Sequence, residues 1–164
     1  MFKKDIPVFI DCEASSLSPE SYPIEIAWGS VGGDIETYLI NPFLYPSSYK
    51  DWSIQSEALH GLSRKYLKEH GVPPQFVVDR INNILSKQKI YSDVPDFDEF
   101  WLGRLYESVG QEMTIVIGDA LRLFEALEPE YFQYERKARM RAGGQHRAKQ
   151  DVQYLLAMYD MCSE

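Results

Sequence analysis

The chain has 164 residues, of which 45% are apolar and 13% aromatic, so its composition excludes a disordered protein and allows a sizeable core. We expect one domain over residues 1–164. No stretch approaches the ~20 apolar residues of a membrane span, and the first residues are expected to lead directly into a strand, without a signal peptide. The net charge of −8 argues against a protein that grips long nucleic acid non-specifically.

The chain has two cysteines, Cys12 and Cys162. Two cysteines do not make a disulfide framework, and such a low count is typical of a reducing compartment. We therefore expect a cytoplasmic protein without disulfides.

The first forty residues predict an antiparallel meander. The apolar run 7–10 indicates a short buried strand that ends at Asp11 and Glu13. The Ser- and Pro-rich segment 15–23 predicts a loop. Residues 24–40 then predict two strands around a glycine-containing turn.

The rest of the chain alternates between predicted helices and strands. Helices are expected over residues 53–71, with a break at His60-Gly61, and over 74–88, 98–110, 120–129 and 145–162. Short strands are expected over 89–93 and 113–119. This order predicts an α/β fold with a mixed sheet, in which a three-stranded antiparallel meander precedes alternating helices and strands.

Asp11 and Glu13 lie one residue apart at the end of the first strand. Successive strand side chains point to opposite faces, so both carboxylates project the same way and Cys12 projects the other way. Carboxylates at strand ends often bond the backbone or an arginine, so this pair alone is a weak signal. Two later clusters sharpen it: three aspartates within 93–98, and a His and an Asp five residues apart within 146–151.

Brought together, these clusters supply four carboxylates and one imidazole. Like charges in one pocket raise each other's pKa, so they require compensation. Oxygen-rich carboxylate pockets suit hard divalent ions such as Mg²⁺ or Mn²⁺. Two such ions form the clamp used in phosphodiester hydrolysis, and a neutral histidine beside the attacking water can act as general base. The residues therefore predict a two-metal hydrolase.

The chain resembles the DEDDh-type 3′–5′ exonucleases of the DnaQ-like family, which have a ribonuclease H-like fold. The resemblance rests on D-x-E after the first strand, F-D-x-x-x-L after a middle strand and H-x-x-x-x-D on the last helix, with further similarity in IEIAWGSV, ALHGLSRKYL and VIGDALRLFEAL. It implies four metal ligands and a general base, namely Asp11, Glu13, Asp98 and Asp151, with His146 as the base.

The middle motif leaves the ligand ambiguous. Asp93, Asp96 and Asp98 all compete, and Asp98 matches the pattern best because it follows Phe97. Asp93 stands where many family members have a histidine, so the surroundings of this ligand depart from the family pattern.

The resemblance also implies a site for the terminal nucleotide. Backbone N–H groups of Ala14 and Ser15 would bind the 3′-hydroxyl, and Leu17 would wedge against the last base. His60 belongs to a segment that lies beside the substrate cleft in the family. The alternatives are an ordinary loop with Leu17 in the core, and a histidine satisfied within its own loop.

Residues 136–150 contain six basic and no acidic residues. Because this basic run leads to His146, we expect it to form the path of the substrate's phosphates through Arg139, Arg141 and Arg147. A solvated charged surface is the alternative.

These features predict a metal-dependent 3′–5′ exonuclease that acts on the 3′ end of single-stranded nucleic acid. Short RNA or RNA 3′ tails are slightly favoured over DNA, although the catalytic residues do not distinguish the sugars. No membrane partner is expected, and a homodimer that lends basic residues to a neighbouring site is left open.

Two other functions compete with this one. A haloacid-dehalogenase-like phosphatase would use Asp119, but it would need an Asp in place of Glu13 and an acid in place of Leu123, and it gives Asp151 no role. A catalytically inactive exonuclease-fold module that only binds nucleic acid is the second alternative.

Overall fold

Five strands form one mixed sheet in the computed structural model, which describes residues 6–164. They are β1 (Val8–Ala14), β2 (Pro23–Ser30), β3 (Glu36–Leu39), β4 (Ile90–Ser92) and β5 (Ile117–Asp119). Their order in the sheet is β3-β2-β1-β4-β5. Strand β2 pairs antiparallel with β1 and β3, whereas β4 pairs parallel with β1 and β5.

Seven α-helices are present among the described residues. They are α1 (Ile54–His60), α2 (Arg64–His70), α3 (Pro74–Ile84), α4 (Pro95–Ser108), α5 (Ala120–Leu127), α6 (Glu135–Ala142) and α7 (Ala148–Ser163). Short 3₁₀ helices lie at Pro42–Leu44 and Tyr131–Tyr134. Within residues 6–164, no helix combines the length and the apolar character that crossing a membrane requires. The predicted start of the chain, residues 1–5, lies outside the described residues.

The predicted meander, the mixed sheet and the break between α1 and α2 are confirmed. Gly61 ends α1 in the left-handed conformation (φ 73°), which glycine adopts without steric cost, and the Ser63 hydroxyl caps α2. Helix α4 begins three residues before the predicted start, because proline is favoured at the first helical position and Pro95 occupies it. Asp98 therefore lies inside the first turn of α4.

The sequence analysis missed α6 and placed the start of α7 too early. Helix α6 buries only Ala138 and Ala142, so it has almost no apolar periodicity to detect. Helix α7 begins at Ala148, and the expectation of a helix from residue 145 is wrong.

Side chains of β1 alternate between two cores. Val8 and Ile10 pack with the core that includes α3 and α4, and Cys12 faces the same way. Phe9 packs with the core that includes α5, α6 and α7. Asp11 and Glu13 continue the face of Phe9, as the alternation predicts. The thiols of Cys12 and Cys162 are both free.

Candidate active site

The five residues predicted to perform catalysis converge on one pocket at the carboxyl end of β1. This pocket, of about 240 Å³, is lined by Asp11, Cys12, Glu13, Asp93, Val94, Phe97, Asp98, Trp101, Arg139, Gln145, His146 and Asp151. The end of the central strand, the starts of α4 and α7, and the loop before α7 thus meet at a single point.

Asp11 lies at the centre of the carboxylates. Its oxygens belong to two groups in which all candidate ligand atoms lie within 4.8 Å of one another: one with Glu13 and Asp151, the other with Asp93 and Asp98. Burial, together with the neighbouring carboxylates, raises the pKa of Asp11 well above its usual range. Its Oδ2 atom is buried without a hydrogen-bond partner among the described residues. An orphaned carboxylate oxygen amid other carboxylates fits a hard divalent cation.

Asp98 is held by two donors. The Cys12 backbone N–H donates to its Oδ1 at 2.9 Å, and the Ser92 hydroxyl donates to its Oδ2. Burial raises the pKa of Asp98 to about 7, although the bonds from Ser92 and Cys12 act to lower it. The fixed position of Asp98 depends on pairing between three distant elements, β1, β4 and α4.

The structure separates the three aspartates of the middle motif. Asp98 is buried and lines the pocket, whereas Asp96 is exposed and outside it. Asp93 also lines the pocket and joins the second carboxylate group. The sequence analysis left Asp93 as one of three competing candidates for the middle ligand. Its position at the end of β4 was the available signal for its place in the site, because the ends of parallel strands meet at one sheet edge.

Glu13 and Asp151 form the other side of the pocket. Burial raises the pKa of Glu13 to about 8, and the charges of Asp151 and Glu25 act in the same direction. Asp151 lies in the first turn of α7 and accepts a hydrogen bond from Arg139 Nη1 at 2.6 Å. Glu25 is a residue that the sequence analysis missed. It pairs with Glu13 across β1 and β2, so strand alternation could have placed it beside the site.

His146 reaches the pocket from a loop and not from a helix. Helix α6 ends at Gly143 in the left-handed conformation, and His146 itself has a φ of 61°. Spacing along a helix therefore does not explain its proximity to Asp151, and that part of the sequence argument is wrong.

The segment after β1 is fastened by one aspartate. The hydroxyls of Ser15, Ser16 and Ser18 all donate to Asp51, at 2.6–2.8 Å. The Ser15 N–H already donates to the Tyr22 carbonyl at 3.0 Å, so it is not a free donor for a 3′-hydroxyl. Ala14 is buried at the end of β1.

Leu17 and His60 have opposite environments. Leu17 is 74% exposed, so the alternative that it is tucked into the core is wrong. His60 is buried, does not line the pocket, and accepts a hydrogen bond from the Leu62 N–H through Nδ1 at 3.0 Å. Burial lowers the pKa of His60, which favours a neutral imidazole.

All three arginines that were predicted to bind phosphate already pair with carboxylates. The nitrogen–oxygen distance is 2.6 Å for Arg139 and Asp151, and 2.7 Å for Arg147 and Glu25. It is 3.3 Å for Arg141 and Asp160. The basic run is thus bound by ion pairs to α7 and to strand β2. These pairs could not be predicted from the sequence, because the partner residues are distant along the chain.

Comparison with known proteins gives a match in structure alone: no family model matches the sequence, and no curated protein does. The zinc-bound complex of E. coli exonuclease I with single-stranded DNA aligns over 96% of this chain and 40% of that chain, at 16% identity and a TM-score of 0.71. E. coli exonuclease I with a dA16 oligonucleotide aligns over 93% and 39%, at 17% identity and a TM-score of 0.69.

A product-bound structure of exonuclease I aligns over 97% of this chain and 43% of that chain, at 16% identity and a TM-score of 0.70. The present chain thus spans about two fifths of the length of these neighbours. The predicted resemblance to DnaQ-like exonucleases is confirmed at the level of the fold: the chain has the ribonuclease H-like fold of exonuclease I.

Proposed function

We propose that this protein is a metal-dependent 3′–5′ exonuclease of the DEDDh type, acting on single-stranded nucleic acid. The observation that supports this most strongly is the double carboxylate cluster around Asp11, with His146 lining the same pocket. The similarity in fold to exonuclease I supports the reaction class but not, at this identity, the substrate.

The carboxylates fit two divalent ions, Mg²⁺ or Mn²⁺, because two groups of ligand atoms share Asp11 and otherwise use different carboxylates. The ligands would be Asp11, Glu13, Asp98 and Asp151, with Asp93 as an additional donor. When bound, the ions would supply the positive charge that stabilises the attacking and leaving oxygens of phosphodiester hydrolysis.

His146 would accept the proton of the attacking water. The residue is half-buried beside the carboxylates, and its loop position allows the imidazole to approach the scissile phosphate from the side of α7. A base must be neutral to accept a proton, so turnover requires the unprotonated imidazole.

An apolar groove of about 430 Å³ adjoins the pocket and would hold the terminal base. It is lined in part by Leu17, Pro19, Phe97 and Phe100, and Phe97 lines the catalytic pocket as well. Phe97 also stacks on Trp101, with the ring centroids 5.3 Å apart. Such a surface can stack on any base, which suits an enzyme without sequence preference.

The substrate can be built on ribose or on deoxyribose, and the catalytic residues act on either. The sequence slightly favours RNA, whereas the exonuclease I neighbours are complexes with single-stranded DNA. Contacts to the 2′-hydroxyl distinguish the two, so both must be tested side by side.

The test is a digestion panel of 5′-labelled single-stranded DNA and RNA oligomers of several lengths, with Mg²⁺, Mn²⁺ or EDTA. We expect ladders that shorten from the 3′ end and disappear in EDTA. Asp11→Asn is the matched control, because it removes one charge at the centre of the cluster and leaves the size of the side chain nearly unchanged. Digestion that Asp11→Asn does not abolish would refute the proposal.

The panel also separates the competing functions. Binding without cleavage under every metal condition would indicate an inactive binding module. Release of only a terminal phosphate would indicate a phosphatase, although Asp119 argues against it: its side chain caps α5 by accepting from the N–H groups of Leu121 and Arg122, and it does not line the pocket.

A further inference from the structure

The loop that carries His146 has an unfavourable backbone. Among residues 6–164, His146 is the only non-glycine residue with a positive φ, at 61°. Side chains with a Cβ seldom adopt this conformation, and it persists when the surrounding structure enforces it. Something must therefore hold the loop between Gly143 and Ala148 in place.

Arginines attach the loop at both ends. On the α6 side, Arg139 Nη1 donates to the Gly144 carbonyl at 3.4 Å. On the α7 side, Arg147 directly follows His146 and donates through Nε to Glu25 Oε2 at 2.7 Å. Arg147 is extended (φ −140°) and directly precedes α7, and its side chain reaches Glu25 on β2.

Glu25 is an unusual anchor for a surface loop. It is 1% exposed, lies on the inner strand β2, and its Oε1 atom has no hydrogen-bond partner among the described residues. Burial raises its pKa, and the charge of Asp151 acts in the same direction. The pair is buried only at its Glu25 end, because the Arg147 side chain is 41% exposed. A partly solvated ion pair contributes little to stability, so a stabilising contribution does not by itself explain a buried charge at Glu25.

We propose that the Glu25–Arg147 ion pair is a positioning device that fixes the backbone of His146 against the carboxylate cluster. This inference rests on the proposed function only in giving His146 a catalytic role. Strand β2 is bonded on both sides within the sheet, so Glu25 is a rigid support. Displacement of a catalytic group by about 1 Å can cost 10²-fold in rate, so a fixed loop matters more for turnover than for folding.

Two other roles for the pair make different predictions. If the pair acted only through its charges on Glu13, then Glu25→Gln and Arg147→Gln would change the reaction in opposite directions, because they remove charges of opposite sign. If Arg147 instead bound a substrate phosphate, Arg147→Gln would raise KM and Glu25→Gln would leave KM unchanged. A positioning pair predicts that both variants lower kcat in the same direction.

The experiment compares Glu25→Gln, Arg147→Gln and the double variant with wild type by steady-state kinetics on a single-stranded oligonucleotide. We expect each single variant to lower kcat by roughly 10- to 100-fold, with KM and the half-saturating Mn²⁺ concentration little changed. The double variant should lower kcat no more than either single variant does. It also serves if Arg147→Gln alone folds poorly, because it does not leave the buried Glu25 carboxylate without a partner. Glu36→Gln is the matched control, because it breaks the Glu36–Arg80 ion pair between β3 and α3, away from the pocket.

The same substitutions in a His146→Ala background test whether the pair acts through His146. We expect Glu25→Gln to cause no further loss of kcat there, whereas an additional loss of tenfold or more would overturn the inference. Opposite effects of the two single variants, or an equal loss in Glu36→Gln, would overturn it as well.

Hydrogen–deuterium exchange separates this inference from the proposed function. Peptides that span residues 142–148 should exchange faster in Glu25→Gln and Arg147→Gln than in wild type or Glu36→Gln. Faster exchange in a protein without nuclease activity would leave the positioning of the loop standing and refute the function. Unchanged exchange of these peptides in an enzyme that digests oligonucleotides would leave the proposed function standing and refute the positioning role of the ion pair.

Discussion

The two sides of the candidate site are built in different ways. On one side, Asp11, Glu13 and Asp98 lie on β1 and α4, and regular secondary structure sets their direction. On the other side, His146 lies on an irregular loop that is held by a hydrogen bond from Arg139 to the Gly144 carbonyl and by the Arg147–Glu25 ion pair. The first side concentrates carboxylates, whereas the arginines of the second side are each paired with a carboxylate.

This difference shows where the site is strained. The carboxylates repel one another. Two arginines compensate them in part: Arg139 pairs with Asp151, and the charge of Arg147 acts to lower the pKa of Glu13. The geometry of the carboxylates survives because strand pairing and the hydrogen bonds to Asp98 enforce it. The loop has favourable charge pairing but an unfavourable backbone at His146. Ligand binding should therefore relieve the acidic side, while the basic side depends on its own ion pairs.

The largest effect is expected on the acidic side. Asp11→Asn should abolish metal-dependent hydrolysis, because Asp11 belongs to both carboxylate groups and its loss weakens both candidate ion sites. The folded apo protein should be as stable as wild type or more so, because one of several repelling charges is removed. Nuclease assays and thermal unfolding in EDTA measure the two outcomes.

Asp93 and Asp96 provide the control for that prediction. Asp93→Asn should lower kcat, since Asp93 lines the carboxylate pocket. Asp96 lies outside that pocket and lines the adjoining groove, so Asp96→Asn should leave kcat at saturating substrate near the wild-type value and act on KM alone. Loss of activity in Asp96→Asn with full activity in Asp98→Asn would mean that the middle ligand is assigned to the wrong aspartate.

The next largest effect is expected at His146. His146→Ala should lower kcat by roughly 10²–10⁴-fold, which is the usual contribution of a positioned general base. Wild-type turnover should fall in acid, because a protonated imidazole cannot accept a proton, and the variant should lose that limb of the pH–rate profile. Metal affinity should survive. An unchanged pH–rate profile in His146→Ala would remove His146 from the mechanism.

The same contrast explains what could be predicted from the sequence. The side-chain directions of Asp11 and Glu13 follow from strand alternation, and the break at His60-Gly61 follows from local residues, so both were predicted correctly. The Arg147–Glu25 contact joins residues 122 positions apart, and neither has a local signal for the other. Helix α6 was missed because a polar helix with two buried alanines has no apolar period.

A smaller effect distinguishes two arginines of the basic run. Arg139→Gln should lower kcat by about tenfold, because Arg139 pairs with Asp151, bonds the Gly144 carbonyl and lies 3.8 Å from the centroid of the Tyr154 ring. Arg141→Gln breaks only an exposed pair with Asp160, so kcat should change less than twofold. Steady-state kinetics of the two variants at saturating substrate make the comparison. Equal losses would mean that the run acts through its total charge and not through its contacts.

The smallest effect concerns stability against pH. Glu13 has a pKa of about 8 and Asp98 of about 7 in the folded protein, above the values of 4.5 and 3.8 expected for these side chains in an unfolded chain. The folded state therefore binds more protons than the unfolded state between about pH 4 and 8, so the free energy of unfolding should fall as pH rises across that window.

Each proton retained only in the folded state contributes about 1.4 kcal/mol per pH unit to this slope. Glu13→Gln removes one such group, so its unfolding free energy in EDTA should depend less steeply on pH than that of wild type. Mg²⁺ or Mn²⁺ should stabilise wild type more at pH 8 than at pH 5, because protons and metal compete for the same oxygens. Urea unfolding at several pH values, with EDTA or with metal, measures both slopes. An unfolding free energy that depends on pH equally steeply in wild type and in Glu13→Gln between pH 5 and 8 would mean that Glu13 is charged in the folded apo protein and that the acidic side is not under the strain inferred from its burial.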